Sequence, residues 1–178
     1  GKPIHNAIVW QCTRGQKICD DLLSNRELTQ TIKKKTGLQP NTFFSGSKLN
    51  WIIENNSEIN SKIESEEICF GTIETYLIYR LTDLESFVTD TTNASRTLLF
   101  DCLNNKWDDE LLSIFNIRNI QFAEIKKSSE IFGESHFNRS FKKKIPIIGV
   151  VGDAQASLFA NFCFEQGDTK ITTGTGFN

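Results

Sequence analysis

Apolar positions in the first part of the chain alternate between a short run and a helical spacing. Residues 7–10 form an apolar run that is typical of a strand. A polar segment follows from Thr13, in which Ile18, Leu22 and Leu23 recur at the spacing of one helix face. A strand followed by a helix indicates an α/β fold.

The next segments predict further helices. Ser45 or Ser47 is expected to cap a helix whose apolar positions begin at Leu49. The polar run over residues 54–67 is expected to be a solvated loop with a helical turn. Residues 72–81 carry apolar side chains at four helically spaced positions, 73, 77, 78 and 81, which predicts a helix packed against a sheet.

Two β-rich stretches come next. Residues 87–90 and 96–100 are separated by residues 91–94, whose composition suits a turn or a short connection. Residues 108–115 predict a short helix, because the acidic residues of its first turn complement the helix dipole.

The C-terminal segment has the most distinctive pattern. Residues 147–151 are uniformly apolar, which predicts an interior strand buried on both faces, and Asp153 follows closely. A helix is expected over residues 154–164. A final strand over residues 170–173 would then lead into the turn at residues 174–176.

The composition indicates a globular protein that acts on small molecules. The chain has 178 residues, which fits one domain or slightly more, and a net charge of −2. Such a charge creates no field that would draw the whole protein to nucleic acid or to an anionic membrane. Its apolar runs are shorter than the roughly 20 residues of a membrane span. Its first residues lack a secretory signal pattern. Five cysteines without CxxC spacing favour a reducing compartment, so we expect a cytoplasmic protein.

Asp153 is the first candidate for chemistry. It lies where the predicted buried strand passes into a helix, at the edge where open α/β sheets bind ligands. A helix N-terminus would keep its carboxylate ionised and able to accept a proton. In phosphoryl transfer, one carboxylate often takes the proton from the attacking hydroxyl. The alternative is that Asp153 only caps the helix, which is the commoner role of Asp at such a position.

The turn formed by Gly174, Thr175 and Gly176 is the second candidate. Glycines let backbone N–H groups approach a phosphate, and the Thr hydroxyl adds a hydrogen bond. The turn is not a Walker loop, because no GK[ST] follows. An ordinary hairpin turn is the alternative. Trp10, at the end of the first predicted strand, could line a substrate pocket or belong to the core.

Six segments together resemble the glycerol-kinase branch of the FGGY carbohydrate kinases. They are PIHNAIVWQC at 3–12, FSGSKL at 44–49, FGTIET at 70–75, TNASRT at 92–97, WDDEL at 107–111 and the segment 152–176. They occur in the family's order and span nearly the whole chain. That combination is far more specific than any one motif.

The resemblance implies an actin/hexokinase-type ATPase fold of two RNase H-like domains, with substrate and ATP in the cleft between them. Residues 1–164 would be a partial N-terminal FGGY domain, its second half. Residues 165–178 would be the first strand and the Gly-Thr-Gly turn of the C-terminal domain. The family's N-terminal phosphate loop, its Arg-Glu substrate pair and its adenosine-binding domain lie outside these residues. We therefore expect this chain alone not to catalyse phosphorylation.

The resemblance also implies roles for individual residues. Asp153 would be the general base that deprotonates a polyol hydroxyl, and it would also contact the substrate. Trp10 would pack on the carbon skeleton, while Phe43 and Ala154 occupy two further substrate-binding positions. The turn at residues 174–176 would meet the nucleotide phosphates. ATP with Mg²⁺ would be the phosphoryl donor, and the full-length protein would be a homo-oligomer.

Three departures from the family bear on substrate and regulation. Phe43 stands where the family has a substrate-binding tyrosine, and Ala154 where it has a glutamine, although Gln155 follows. Each loss removes a hydrogen bond to a small triol, worth about 0.5 to 1.5 kcal/mol. Glycerol is therefore expected to bind weakly, or another polyol or sugar to be the substrate. Residues 137–144 lack the Gly-rich sequence with which some bacterial glycerol kinases bind fructose bisphosphate, so that regulation is not expected.

Two other functions stay open. One is a related sugar kinase, such as a ketopentose kinase, although the sequences Trp-Gln-Cys and Phe-Ser-Gly-Ser-Lys favour the glycerol branch. The other is a noncatalytic protein of the actin-like fold that acts through binding or regulation. Phe43 and Ala154 are the features that favour this last function.

Overall fold

The computed structural model describes residues 1–65, 68–137 and 139–173. The helices in those ranges are α1 Gln16–Ser24, α2 Arg26–Thr36, α3 Ser45–Asn55, α4 Ser57–Glu64, α5 Ile73–Leu81, α6 Thr91–Ala94, α7 Asp109–Ile114 and α8 Asp153–Ala160. The strands are β1 Cys69–Phe70, β2 Val88–Asp90, β3 Phe100–Asp101, β4 Lys106–Trp107, β5 Gln121–Phe122, β6 Glu124–Lys126, β7 Glu134–Ser135 and β8 Ile145–Pro146. The pairs β1–β5 and β2–β6 are parallel, and β3–β4 and β7–β8 are antiparallel.

The main core lies among helices α1, α2, α3 and α7. Its buried side chains are Leu22, Ile32, Phe44, Leu49, Leu98, Leu99, Leu111, Phe115 and Ile117. Full burial of one such side chain stabilises a protein by about 1.5 to 3 kcal/mol. The main core is therefore the chief source of stability in the described part of the chain.

Local signals set the ends of α2. The side chain of Asn25 caps its N-terminus by accepting hydrogen bonds from the backbone N–H groups of Glu27 and Leu28. At the other end, Gly37 adopts a φ of 72°, a left-handed conformation that glycine tolerates without steric cost. Helix α2 is thus held at both ends by residues next to it in sequence.

Helix α3 begins at Ser45, but the predicted serine cap is wrong. The N-cap residue is Phe44, and no side chain caps the helix. Instead of bonding to a capping side chain, the N–H group of Gly46 in the first turn donates to the carbonyl of Thr97 at 2.8 Å. A tertiary contact replaces the local cap.

Much of the polar run at residues 54–67 forms helix α4, so the expected loop is wrong there. Asn56 caps this helix by accepting from the N–H of Ile59 at 3.0 Å. Ile59 and Ile63, four residues apart, are buried on one face together with Ile68. Two apolar residues at helical spacing were enough to bury a helix that is otherwise polar.

An ion pair joins α2 to the start of α7. Lys35 Nζ lies 2.7 and 2.8 Å from the two carboxylate oxygens of Asp108 and 2.7 Å from Glu110 Oε2. Asp108 also caps α7, accepting from the N–H of Leu111 at 2.9 Å. Burial raises the pKa of Asp108, but the hydrogen bonds from Lys35 and Leu111 outweigh burial and leave it below its ordinary value. The predicted helix at residues 108–115 is confirmed.

The second strands of the two parallel pairs, β5 and β6, are separated by a single residue, Ala123. Strand β5 pairs with β1, and β6, which follows β5 almost directly, pairs with β2. Helix α5 runs between β1 and β2 and buries Ile78 against Val88 and Phe132, a cluster that we call the second core. Ile147 and Val150 pack on it and are partly buried.

The predicted interior strand at residues 147–151 is wrong. Ile147 exchanges backbone hydrogen bonds with Phe132 and Gly133, and the N–H of Val150 donates to the carbonyl of Ser128. These bonds are too few to make a regular strand, and Ile148 is 65% exposed. A strand buried on both faces needs partners on each side along its whole length.

Other strand predictions fail for the same reason. Residues 7–10 have no regular structure, and residues 170–173 form no strand beyond an isolated bridge at Thr173.

Residues 91–94 form the short helix α6 rather than a turn. The helix predicted for residues 154–164 is confirmed as the shorter α8.

The predicted helix at residues 72–81 is confirmed as α5, but its predicted packing face is wrong in part. Ile73 is 66% exposed, and Leu77 is also exposed. Thr75 and Ile78 are the buried positions of this helix. The apolar stripe therefore extends beyond the face that the described chain covers.

Candidate active site

Three aromatic side chains form one wall of the candidate site. The ring centroids of Trp10 and Phe43 are 5.6 Å apart, and those of Phe43 and Phe44 are 5.3 Å apart. Trp10 and Phe43 are exposed, whereas Phe44 is buried in the main core. We call Trp10, Phe43 and Phe44 the aromatic corner. Its two outer rings are accessible to a ligand with an apolar face.

Helix α3 holds the aromatic corner in place. The N–H of Phe43 donates to Asn41 Oδ1 at 2.8 Å, and its carbonyl accepts from Lys48 Nζ at 2.9 Å. Gly46 has no side chain here, and a Cβ would lie 3.2 Å from ring atoms of Phe115. Glycine thus lets the first turn of α3 approach the main core closely. The position of Phe43 follows from that approach.

Charged and polar groups lie beside the aromatic corner. Arg14 Nε donates to the Cys12 thiol at 3.0 Å, and its guanidinium group stacks 4.7 Å from the centre of the Trp51 ring. Hydrogen bonds from the backbone and the side chain of Arg14 lower the pKa of the Cys12 thiol. Burial lowers the pKa of Lys48. The sequence analysis did not identify Arg14 or Lys48.

Asp153 is the first residue of helix α8. Gly152 is the N-cap, and no side chain caps the helix, so Asp153 is not the cap that its sequence position allowed. Its Oδ1 accepts from the N–H of Ala154 at 2.7 Å, and both residues are exposed. The geometry leaves Asp153 free to act on a ligand.

The fully buried carboxylate of Asp90 is connected through Thr92 to Gly152, the residue before Asp153. Asp90, at the end of β2, caps α6 by accepting from the backbone N–H groups of Thr92 and Asn93. It also accepts from the side chains of both residues and from Ser128 Oγ. Burial raises the pKa of Asp90, but these hydrogen bonds outweigh burial and leave it below its ordinary value. Asp90 is therefore ionised at neutral pH.

Residues 91–97 form hydrogen bonds both with the segment before Asp153 and with helix α3. The N–H of Gly152 donates to Thr92 Oγ1 at 2.7 Å, and the carbonyl of Thr97 accepts from Gly46 in α3. Among the predicted substrate-binding residues, Trp10 contacts Phe43 and Asp153 contacts Ala154. The predicted nucleotide-binding residues Gly174, Thr175 and Gly176 lie outside the described residues.

Sequence reasoning did not single out Asp90 and Thr92, which are hydrogen-bonded to each other next to Gly152. An Asp at the end of a strand, followed directly by Thr, Thr and Asn, is a recognisable helix-start signal. That signal would have found the cap. It would not have shown that Thr92 reaches Gly152, which is 60 residues away in sequence.

Comparison with known proteins identifies the family. Residues 1–160 match the FGGY family of carbohydrate kinases, N-terminal domain. The chain belongs to this family. A glycerol kinase from Fusobacterium nucleatum is 44% identical over 176 residues, which make up 99% of this chain and 35% of that protein.

Solved structures of FGGY kinases agree with the assignment. The crystal structure of Plasmodium falciparum glycerol kinase with ADP matches with a TM-score of 0.89 at 38% identity, covering 99% of this chain and 35% of that one. A ligand-bound xylulose kinase from Lactobacillus acidophilus matches with a TM-score of 0.73 at 27% identity, covering 88% and 31%. The predicted α/β fold of the actin/hexokinase type is confirmed.

The FGGY chain spans 35% of the length of the curated relatives it matches. The family match ends at residue 160. The predicted domain boundary between residues 164 and 165 stays a prediction. In the part of the chain that the structure describes, every helix is too short or too polar to cross a bilayer.

Proposed function

We propose that the whole protein is an FGGY kinase that transfers the γ-phosphoryl group of ATP to glycerol or a related polyol. The observation that carries the proposal is the 44% identity to a glycerol kinase over 99% of this chain. The exposed carboxylate of Asp153 and the exposed rings of the aromatic corner support it, because such a kinase needs a base and a surface for a carbon skeleton.

In the proposed reaction, Asp153 is the general base. Its carboxylate takes the proton from a substrate hydroxyl as that oxygen attacks the γ-phosphorus. A bond from the substrate oxygen to phosphorus forms, the bond from phosphorus to the β–γ bridging oxygen breaks, and ADP leaves. The exposed position of Asp153 at the start of α8 supports this role, because a substrate hydroxyl can reach its carboxylate.

The aromatic corner is the proposed wall for the substrate. The exposed faces of Trp10 and Phe43 would pack against C–H groups, while hydroxyls would face Asp153. Phe43 has no hydroxyl and Ala154 no amide, so neither side chain can donate a hydrogen bond to the substrate. We therefore propose weak glycerol binding, or preference for another polyol or sugar. The xylulose kinase similarity keeps a ketopentose among the substrates to be tested.

The nucleotide is the proposed partner of the turn at residues 174–176, whose backbone N–H groups would meet its phosphates. Mg²⁺ is proposed to bind together with ATP. In the described ranges, no group of three or more His, Cys, Asp or Glu side chains is suited to hold a metal ion. In kinase sites, Mg²⁺ is generally bound by substrate phosphates and water together with one or two carboxylates.

We also propose the organisation and location of the protein. Residues 1–164 would belong to the N-terminal FGGY domain and residues 165–178 to the start of the C-terminal one. The whole protein would be a cytoplasmic homo-oligomer. Five free cysteines support a reducing compartment.

The test is an ATP-dependent phosphorylation assay on the product of the complete open reading frame, with glycerol, other polyols and ketopentoses as substrates. We expect turnover that Asp153→Asn reduces by at least about 100-fold, since general-base catalysis contributes roughly 10²- to 10⁴-fold. Asp21→Asn is the matched control, because Asp21 is also exposed and forms only a surface ion pair with Lys17.

The outcomes separate the three functions. Turnover of glycerol that is lost only in Asp153→Asn supports the polyol kinase. Turnover of another substrate alone makes Phe43 and Ala154 the specificity positions. Absence of turnover with every substrate would contradict a kinase and favour the noncatalytic protein.

A further inference from the structure

The short backbone segment before Asp153 is held from two sides. At one end, the N–H of Val150 donates to the carbonyl of Ser128 at 3.0 Å. At the other, the N–H of Gly152 donates to Thr92 Oγ1 at 2.7 Å. The segment entering helix α8 therefore depends on Ser128 and Thr92.

Both holding residues bond the same oxygen of one carboxylate. Thr92 Oγ1 donates to Asp90 Oδ2 at 2.6 Å, and Ser128 Oγ donates to it at 2.7 Å. Asp90 is 0% exposed, and its other oxygen is occupied by Asn93. A buried carboxylate with every oxygen engaged has little freedom to move, so it fixes both hydroxyl groups.

The protons at Thr92 have one consistent arrangement. The hydroxyl has a single proton, which it donates to Asp90, and its lone pair accepts the N–H of Gly152. A carboxylate acceptor strengthens the first bond, because charge-assisted hydrogen bonds are the stronger ones. The orientation of the hydroxyl toward Gly152 follows from the presence of Asp90.

We propose that Thr92, oriented by Asp90, is a positioning residue that fixes the backbone of Gly152 and thereby the carboxylate of Asp153 for proton transfer. The proposal rests on the proposed function, in which Asp153 is the base. Catalytic groups displaced by as little as 1 Å can cost about 100-fold in rate. A hydrogen bond one residue before the base is close enough to control such a displacement.

The test uses three variants of the complete kinase. Thr92→Val keeps the shape of the side chain but removes both hydrogen bonds, and Thr92→Ser restores the hydroxyl. Thr36→Val is the matched control, because the buried Thr36 hydroxyl also donates to a carbonyl, that of Ile32, and accepts a backbone N–H, that of Leu38. Thr36 lies at the end of α2 and has no part in the proposed site.

Two measurements are made on each variant. The first is kcat and KM for the polyol and for ATP. We expect Thr92→Val to lower kcat by about 10- to 100-fold with KM for ATP unchanged, Thr92→Ser to restore most of it, and Thr36→Val to leave kcat unchanged. The second is hydrogen exchange of the Gly152 amide, which should be faster in Thr92→Val alone.

The controls distinguish failure of this proposal from failure of the proposed function. If the wild type is active and Asp153→Asn is not, an unchanged kcat in Thr92→Val overturns the positioning role and leaves the function intact. Equal losses of kcat in Thr92→Val and Thr36→Val would also overturn it, since both would then reflect general destabilisation. A wild type without turnover would overturn the proposed function, and the positioning role in catalysis with it.

Discussion

The main core buries nine apolar side chains between four helices, whereas the second core buries three beneath α5 and β2. The surroundings of the two also differ. Exposed apolar side chains accompany the second core, including Ile73 and Leu77 on α5 and Ile148 and Val151 beside it. The same kind of residue is thus enclosed in one region and left uncovered in the other.

The difference shows that an apolar pattern predicts that a face will be buried but not which element will bury it. In the main core, α1, α2, α3 and α7 cover one another. Around the second core, the described chain supplies too few partners. The curated relatives are longer, since this chain spans 35% of them, and we expect residues outside this chain to cover that face in the whole protein.

The largest expected effect is in the main core. Phe115→Ala should lower the free energy of unfolding by about 3 to 5 kcal/mol, because the ring is 0% exposed and packs against α3. Phe159→Ala, at an exposed ring on α8, should change it by less than about 0.5 kcal/mol. Urea denaturation followed by circular dichroism measures both. Equal losses would show that burial does not set the energetic cost of removing these rings.

A smaller effect is expected at the edge of the main core. Asp108→Ala removes the cap of α7 and one of the two carboxylate partners of Lys35, and it should lower the free energy of unfolding by about 1 to 2 kcal/mol at pH 7. Asp109→Ala, at the exposed neighbouring position, is the control.

The loss of unfolding free energy caused by Asp108→Ala should also depend on pH. The pKa of Asp108 is lowered in the folded protein, so the ionised carboxylate stabilises the fold fully above its unfolded-state pKa of about 3.9. That stabilisation is lost as the pH falls through the folded-state pKa. Urea denaturation between pH 7 and pH 2 should show the wild type and Asp108→Ala converging at the acid end. A difference that stays constant would contradict the role of the ion pair.

The smallest effect is expected at the uncovered face. Ile148→Ser should change the stability of the 178-residue chain by less than about 0.5 kcal/mol, because the side chain is already 65% exposed. In the complete protein, the same substitution should cost about 1.5 to 3 kcal/mol if other residues bury Ile148 there. Equal small costs in both proteins would show that this face stays uncovered.

Helices were the predictable part of the fold. Five segments that follow apolar spacing or a capping residue form helices α1, α3, α5, α7 and α8. Their signals are local, since each depends on residues within a few positions of one another. Helix α4 was missed because Ile59 and Ile63 were only two apolar residues in a polar run.

Strands were the less predictable part, although the β-rich stretch predicted at residues 87–90 is confirmed as β2. Residues 7–10 and 147–151 have strand composition, yet neither forms a strand. A strand exists only where another strand supplies hydrogen-bond partners, and composition does not report whether those partners are present.

In the candidate site too, the sequence predicted individual residues but not the contacts between distant segments. The family resemblance identified Trp10, Phe43, Asp153 and Ala154 as candidates, and the contact between Trp10 and Phe43 supports treating these two as one surface. Their roles stay predictions. The resemblance did not identify Thr92 as the partner of Gly152, because that contact joins two segments 60 residues apart.

The sequence by itself determined the α/β class, the helices α1, α3, α5, α7 and α8, and the similarity to the FGGY kinases. Each of these follows from residue types at short, fixed spacings. Only the tertiary structure decided which apolar residues are covered, which strands form, and that Asp90 and Thr92 hold the turn before Asp153. Those features require contacts between residues far apart in the chain, and such contacts depend on how the helices and strands pack.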